Sequence, residues 1–123
     1  MVLGIGIDIT SMDRVTQTLA RSGDIFLHRI FSDNEQRRGN NYSDGLLYYA
    51  TGFALKEAVF KAFNTVWQNE MSMRDIEVIF DDDQYQILLH REFLQMFHEK
   101  HATSLVVTRS LFQRHIVALA ILQ

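Results

Sequence analysis

Large apolar and small residues alternate at the start of the chain. From Leu3 to Ile9 every second residue is leucine or isoleucine, and the positions between them hold two glycines and Asp8. A period of two predicts a β-strand with one apolar face, whose other face carries almost no side chain until Asp8. The glycines would let another segment approach the strand backbone closely, or they would mark a bulge or a weakened strand.

The residues after this strand carry helix signals. Thr10 or Ser11 can cap a helix that continues to just before Gly23, a residue type that commonly ends helices. Further along, Ser32 precedes Glu35 by three residues, which is the spacing of a capping box. We therefore expect one longer helix followed by a short one.

The longest helical pattern lies in the middle of the chain. It runs from Gly45 to about Thr65, is rich in alanine and large apolar residues, and follows a polar, turn-like stretch at residues 40–44. A helix of this composition is expected at the centre of the fold. The second half is predicted to contain strands at residues 76–80 and 85–89 joined as a hairpin through 81–84, a helix at 91–101, and strands near 104–109 and 115–122. This mixture of helices and local hairpins belongs to the α+β class.

Composition indicates how many domains to expect and which kinds of site the chain can form. A chain of 123 residues, 47% hydrophobic and 22% charged, is expected to fold as a single domain over residues 1–123. The absence of cysteine excludes disulfides, zinc–thiolate clusters and a cysteine nucleophile, so a metal would need oxygen or histidine ligands. Because the start shows no signal-peptide pattern and no apolar run reaches about 18 residues, we expect a cytoplasmic protein with no membrane partner.

The distribution of charge bears on the choice of partner. The formal net charge of −3 argues against nucleic acid. Five arginines nevertheless lie between Arg14 and Arg38, whereas an acidic run occupies Asp81–Asp83. The arginines either form a local basic face for an acidic partner or belong to an ordinary surface of mixed charge.

Candidate chemistry lies on the central helix, where Glu57 and Lys61 are four residues apart and share one face. Taken alone they form a common surface ion pair, worth about 0.3 to 0.5 kcal/mol. If the fold brings Asp8 alongside, two carboxylates could hold magnesium and the lysine could neutralise a phosphate. Sequence spacing does not decide between these alternatives.

Two motifs resemble those of the holo-acyl-carrier-protein synthases, which belong to the 4′-phosphopantetheinyl transferase family. They are GIGIDI followed by Arg14, and FALKEAVFKAF at residues 53–63. SGDIFLHRIFSDNE between them and DIEV at residues 75–78 also resemble the family, so that the likeness covers nearly the whole chain. The resemblance implies the family fold, a small antiparallel sheet packed with a long central helix, and the family's homotrimeric assembly.

The resemblance also implies a reaction. The hydroxyl of a serine on an apo acyl carrier protein attacks the β-phosphate of coenzyme A, which transfers 4′-phosphopantetheine and releases adenosine 3′,5′-bisphosphate. Magnesium is the implied cofactor. The implied site residues are Asp8 and Glu57 for magnesium, Glu57 and Lys61 for catalysis, Lys61 and Lys56 for coenzyme A, and Arg14 and Arg21 for the carrier protein.

The chain departs from the family pattern where the nucleotide end of coenzyme A is expected. Gly52 stands where members usually have arginine, Asp44 falls near another basic position, and Asn64–Thr65–Val66 replaces a glycine-threonine-glycine turn. These changes predict weakened nucleotide binding, and we expect an arginine at Gly52 to be tolerated. They also keep open an alternative function, a weakly active or inactive homologue that acts as a binding or subunit-interaction protein.

Overall fold

Strands and helices follow one another in the predicted order, and the α+β class is confirmed. The structure, a computed structural model, describes residues 1–81 and 84–123. The elements are β1 (Gly4–Ser11), α1 (Met12–Ile30), α2 (Asp33–Asn40), α3 (Gly45–Ala62), β2 (Ile76–Asp81), β3 (Gln84–Leu89), α4 (Arg91–Glu99), β4 (Leu105–Phe112) and β5 (His115–Leu122). A short 3₁₀ turn at Met73–Asp75, which no pattern indicated, precedes β2.

The strands form two antiparallel sheets. β1, β5 and β4 lie side by side in that order, and β2 pairs with β3 as the predicted hairpin. The predicted connection at 81–84 lies partly outside the described residues, which exclude 82 and 83. Helix α3 packs against β1 and β5, so the long central helix is confirmed, although it ends at Ala62 rather than near Thr65.

The glycines of β1 allow α3 to lie directly on the strand backbone. A β-carbon added at Gly6 would lie 1.8 Å from the carbonyl oxygen of Ala58, and one added at Gly4 would lie 1.8 Å from that of Ala62. These distances are far below any non-bonded contact, so only glycine fits at either position. The close approach of another segment, rather than a bulge or a weakened strand, therefore explains the alternating glycines.

The apolar face of β1 points away from α3. Ile5, Ile7 and Ile9 are 58%, 55% and 66% exposed. On the neighbouring strands Leu119 lies opposite Ile7, and Val106 is 51% exposed on the same face of the sheet. The three-stranded sheet thus presents an apolar outer surface, which we call the isoleucine face.

Helix α1 begins as predicted and is interrupted where the sequence predicted its end. The Ser11 hydroxyl accepts a hydrogen bond from the Arg14 backbone N–H, which identifies Ser11 as the cap. The backbone leaves the helical region at Ser22, with φ −153° and ψ 47°, and the helix then resumes to Ile30. The first helical segment therefore ends at Ser22, beside the Gly23 predicted to stop it, and a second segment that the sequence did not indicate continues after the kink.

The capping box of α2 is confirmed. The Glu35 backbone N–H donates to the Ser32 hydroxyl at 3.1 Å, and the Ser32 N–H donates to Glu35 Oε1 at 2.8 Å. Helix α4 ends at Glu99, two residues before the predicted end at His101. No helix in the described ranges is long and apolar enough to cross a membrane.

Candidate active site

The contact between α3 and β1 brings Lys61 to Asp8. Lys61 Nζ lies 3.3 Å from Asp8 Oδ1 and donates to the backbone carbonyl of Ile7 at 3.1 Å. The other carboxylate oxygen, Asp8 Oδ2, accepts a hydrogen bond from the Thr10 hydroxyl at 2.5 Å. Lys61 therefore forms its ion pair with Asp8 on β1 rather than with Glu57 on its own helix.

Glu57 lies one turn before Lys61 on α3 and is partly buried. Burial raises the pKa of Glu57, the charge of Asp8 raises this pKa further, and Lys61 acts in the opposite direction. The negative charge of Asp8 thus disfavours the charged form of Glu57. A bound cation would relieve this repulsion.

Both carboxylates line a groove of about 360 Å³ between α1, α3 and the end of β1. Its polar side includes Thr10 and Arg14 beside the acidic pair. Its apolar side includes Phe26 and Phe53, whose rings stack with centroids 5.6 Å apart. Phe26 was missed, because its place on α1 gives no sign that it faces α3. Thr10 was considered only as a cap, although a period of two places it on the same strand face as Asp8.

The two arginines predicted to bind a carrier protein differ in position. Arg14 lines the groove from the first turn of α1. Arg21 lies two turns further along the same helix, exposed and outside the groove lining. Both therefore belong to one helix beside the acidic pair, but only Arg14 borders the groove.

Lys56 is not in the groove, which corrects the expectation that it contacts coenzyme A. Its side chain is fully buried, and Nζ donates to Glu35 Oε1 at 2.8 Å and to the carbonyls of Met73 at 2.9 Å and Ile76 at 2.6 Å. These bonds use all three protons of the ammonium group. Burial lowers the pKa of Lys56, and Glu35 opposes that shift. Lys56 therefore joins α2, α3 and the 3₁₀ turn within the core.

Gly52 faces the core rather than the groove. A β-carbon at Gly52 would lie 2.8 Å from a ring carbon of Phe31, and Phe31 is fully buried. An arginine could enter only by displacing that ring, so the expectation that it would be tolerated is wrong. Asp44 caps α3 by accepting a hydrogen bond from the Leu47 N–H at 3.1 Å. Neither position supplies a cation.

The turn after α3 keeps an unusual backbone shape without glycine. Asn64 has φ 53°, in the left-handed region that glycine adopts most easily. Asparagine tolerates this region better than most residues because its short polar side chain can hydrogen-bond locally. Loss of the glycines therefore does not by itself remove the turn.

A family model described as the 4′-phosphopantetheinyl transferase superfamily matches residues 4–120. The chain belongs to this superfamily. A holo-[acyl-carrier-protein] synthase of Dinoroseobacter shibae is 40% identical over 78 residues, which is 63% of this chain and 56% of that relative. The chain thus matches little more than half the length of that relative. A synthase of the same name from Serratia proteamaculans is 32% identical over 99% of this chain and 98% of its own length.

Solved structures of superfamily members share the fold. The holo-[acyl-carrier-protein] synthase of Neisseria meningitidis superposes with a TM-score of 0.91 at 24% identity, covering 100% of this chain and 99% of that one. The synthase of Bacillus anthracis, solved in complex with CoA (3′,5′-ADP), is 30% identical, with a TM-score of 0.77 and coverage of 99% and 96%. The predicted fold, a small antiparallel sheet packed with a long central helix, is confirmed.

Proposed function

We propose that this chain is a magnesium-dependent transferase that moves 4′-phosphopantetheine from coenzyme A to a serine of an apo acyl carrier protein. The observation that carries the proposal is that Asp8 and Glu57 line one groove while Lys61 pairs with Asp8, and these three residues match both family motifs. The names of the relatives and the coenzyme A complex of the Bacillus anthracis synthase support the choice of substrates.

The acidic pair suits magnesium by its donor chemistry. Magnesium prefers oxygen ligands and is commonly held by one or two carboxylates together with water and substrate phosphates. In the ranges 1–81 and 84–123 no three histidine, cysteine, aspartate or glutamate side chains cluster as a metal site. Asp8 and Glu57 would therefore hold the ion together with the substrate. Bound there, magnesium would neutralise charge on the transferring phosphoryl group.

The remaining steps fall to the chain's own side chains. Lys61 would donate to a phosphate oxygen, which stabilises the charge that develops as the serine oxygen bonds to the β-phosphorus and adenosine 3′,5′-bisphosphate leaves. Glu57 would orient the serine hydroxyl, directly or through one water, and receive its proton. Arg14 beside the groove and Arg21 further along α1 would attract an acidic carrier protein.

Mass spectrometry tests the proposed reaction. An apo carrier protein, first that of fatty acid biosynthesis, is incubated with coenzyme A, magnesium and the full chain. We expect a mass gain equal to one phosphopantetheine. Gly52 and Asp44 supply no cation, which favours the weakly active binding homologue as the second candidate. Calorimetric binding of coenzyme A without any mass gain on several carrier proteins would support that candidate instead.

Replacing Lys61 with alanine should slow transfer by about a hundredfold, because one preorganised donor to developing charge contributes about 3 kcal/mol. The initial rate of carrier protein modification at saturating coenzyme A measures this effect. Lys100→Ala removes an exposed lysine from the end of α4 and serves as the control, with an unchanged rate. Equal rates for both variants would mean that Lys61 forms only a surface ion pair and takes no part in the transfer.

We propose that the chain assembles as a homotrimer through its isoleucine face. The family resemblance supplies the number of subunits. The exposed apolar side chains on one side of the three-stranded sheet support a subunit interface there, because monomers seldom expose such a contiguous patch.

Light scattering should therefore give a mass of three chains for the native protein. Ile7→Asp should shift it towards monomer, since burying an unpaired carboxylate in an apolar interface is strongly unfavourable. Ile25→Asp changes an isoleucine of α1 that is 65% exposed and should leave the trimer intact. A native monomer with full transfer activity would contradict the proposed assembly.

A further inference from the structure

We propose that Thr10 is a positioning residue for Asp8 and sets its affinity for the divalent cation. This inference rests on the proposed function, because it assumes that Asp8 holds a metal ion. The observation behind it is that each oxygen of the Asp8 carboxylate has a different partner. Thr10 Oγ1 donates to Oδ2 at 2.5 Å, and Lys61 Nζ lies 3.3 Å from Oδ1.

Thr10 is well placed to hold the carboxylate still. It lies two residues after Asp8 on the same face of β1, where both residues are paired with β5, Thr10 with Ile116 and Asp8 with Ala118. Thr10 is only 9% exposed, and its branched β-carbon restricts rotation about χ1. The Thr10 hydroxyl is therefore held in place by the sheet, unlike a donor on a mobile surface side chain.

A carboxylate otherwise turns easily about its last torsion, which is broad for aspartate. With Oδ2 held by Thr10, Oδ1 is turned towards Lys61. When a cation binds, the same hydrogen bond would keep Oδ1 in place without a new ordering cost. Hydrogen-bond partners of metal ligands commonly change metal affinity by 10- to 100-fold.

The test measures metal binding directly, with Mn²⁺ as the probe and the full chain saturated with coenzyme A, because the ion is proposed to be held together with that substrate. Coenzyme A with Mn²⁺ but without the protein gives the blank. Mn²⁺ binding is followed by calorimetry and by the loss of the free-ion electron paramagnetic resonance signal. Thr10→Val keeps the shape of the side chain and removes the donor. We expect affinity to fall about tenfold or more, and Thr10→Ser, which keeps the hydroxyl, to bind nearly as the native chain does.

Thr18→Val is the matched control. Thr18 lines the same groove, but its hydroxyl donates to the Arg14 carbonyl at 2.9 Å within α1. Its removal should leave Mn²⁺ affinity unchanged. Thr10→Ala provides a second variant without the donor should valine disturb folding, which thermal unfolding would reveal.

The outcomes separate this inference from the proposed function. Reduced affinity in Thr10→Val and Thr10→Ala, with native affinity in Thr10→Ser, supports the positioning role. Native affinity in folded Thr10→Val, combined with loss of binding in Asp8→Ala, overturns that role and leaves the metal site standing. If the native chain adds no Mn²⁺ binding to that of coenzyme A alone, or Asp8→Ala binds the ion equally well, the proposed metal site fails and the inference fails with it.

Discussion

Asp8→Asn and Glu57→Gln should each lower phosphopantetheine transfer by at least about a hundredfold while the chain stays folded. Both changes keep the shape of the side chain and remove the negative charge that would hold the cation. Loss of one preorganised electrostatic group commonly costs 10²- to 10³-fold in rate. Initial rates of carrier protein modification over a range of magnesium concentrations measure the effect, and excess magnesium should restore little of it.

Asp13→Asn provides the control for these variants. Asp13 is an exposed aspartate of α1 that pairs with Arg114, away from the groove lining. It should retain the native rate. Near-normal turnover of Asp8→Asn or Glu57→Gln at ordinary magnesium would contradict the assignment of the acidic pair.

Glu57→Gln should also leave stability unchanged or raise it at neutral pH. A carboxyl whose pKa is raised on folding binds its proton more tightly in the folded state than in the unfolded state. Its contribution to stability is therefore present at low pH and is lost as the pH rises through the folded pKa. Glutamine does not ionise, so the variant does not lose this stability as the pH rises. Reduced activity in Glu57→Gln would therefore not reflect unfolding. Thermal unfolding at neutral and acidic pH checks the sign.

Gly6→Ala should destabilise the chain by about 3 kcal/mol or more. The added β-carbon would meet the Ala58 carbonyl oxygen, which belongs to the backbone of α3 and cannot turn aside. Overpacking of a core commonly costs 1 to 3 kcal/mol, and contact with main chain lies at the upper end. Urea unfolding measures the change. Transfer should fall as well, because separating α3 from β1 draws Glu57 and Lys61 away from Asp8.

Gly23→Ala is the control for the strand glycine. A β-carbon at Gly23 meets no atom within 4 Å, and alanine favours the helical conformation by up to about 1 kcal/mol. Its stability should equal or exceed that of the native chain. A Gly6→Ala variant as stable as Gly23→Ala would contradict the backbone contact described between α3 and β1.

Local pattern predicted the elements of this fold well but not how they face one another. The alternation in β1 defines two faces, yet it does not say which one meets the core. Here the bare face with Gly6 and Asp8 meets α3, and the isoleucines point outward. A period of two is equally satisfied by a strand whose apolar side is kept for another subunit.

Lys56 illustrates a second limit of sequence reasoning. Lys56 was assigned to coenzyme A binding, and lysine is rarely buried unless it is paired. The pairing comes from Glu35, 21 residues earlier, and from the backbone carbonyls of Met73 in the 3₁₀ turn and Ile76 at the start of β2. The spacing of residues within one helix or strand does not predict contacts between residues so far apart in the chain. By contrast, the proximity of Asp8 and Glu57 was expected only through the family resemblance.

The backbone contact between α3 and β1 restricts how this protein can change over generations. A side-chain clash can usually be relieved by a smaller residue opposite, but every residue type carries the same carbonyl oxygen that Gly6 faces at Ala58. No second substitution in α3 can therefore compensate for a larger residue at Gly6. A substitution at Gly6 would therefore impair folding and the placement of Asp8 beside Glu57 at the same time.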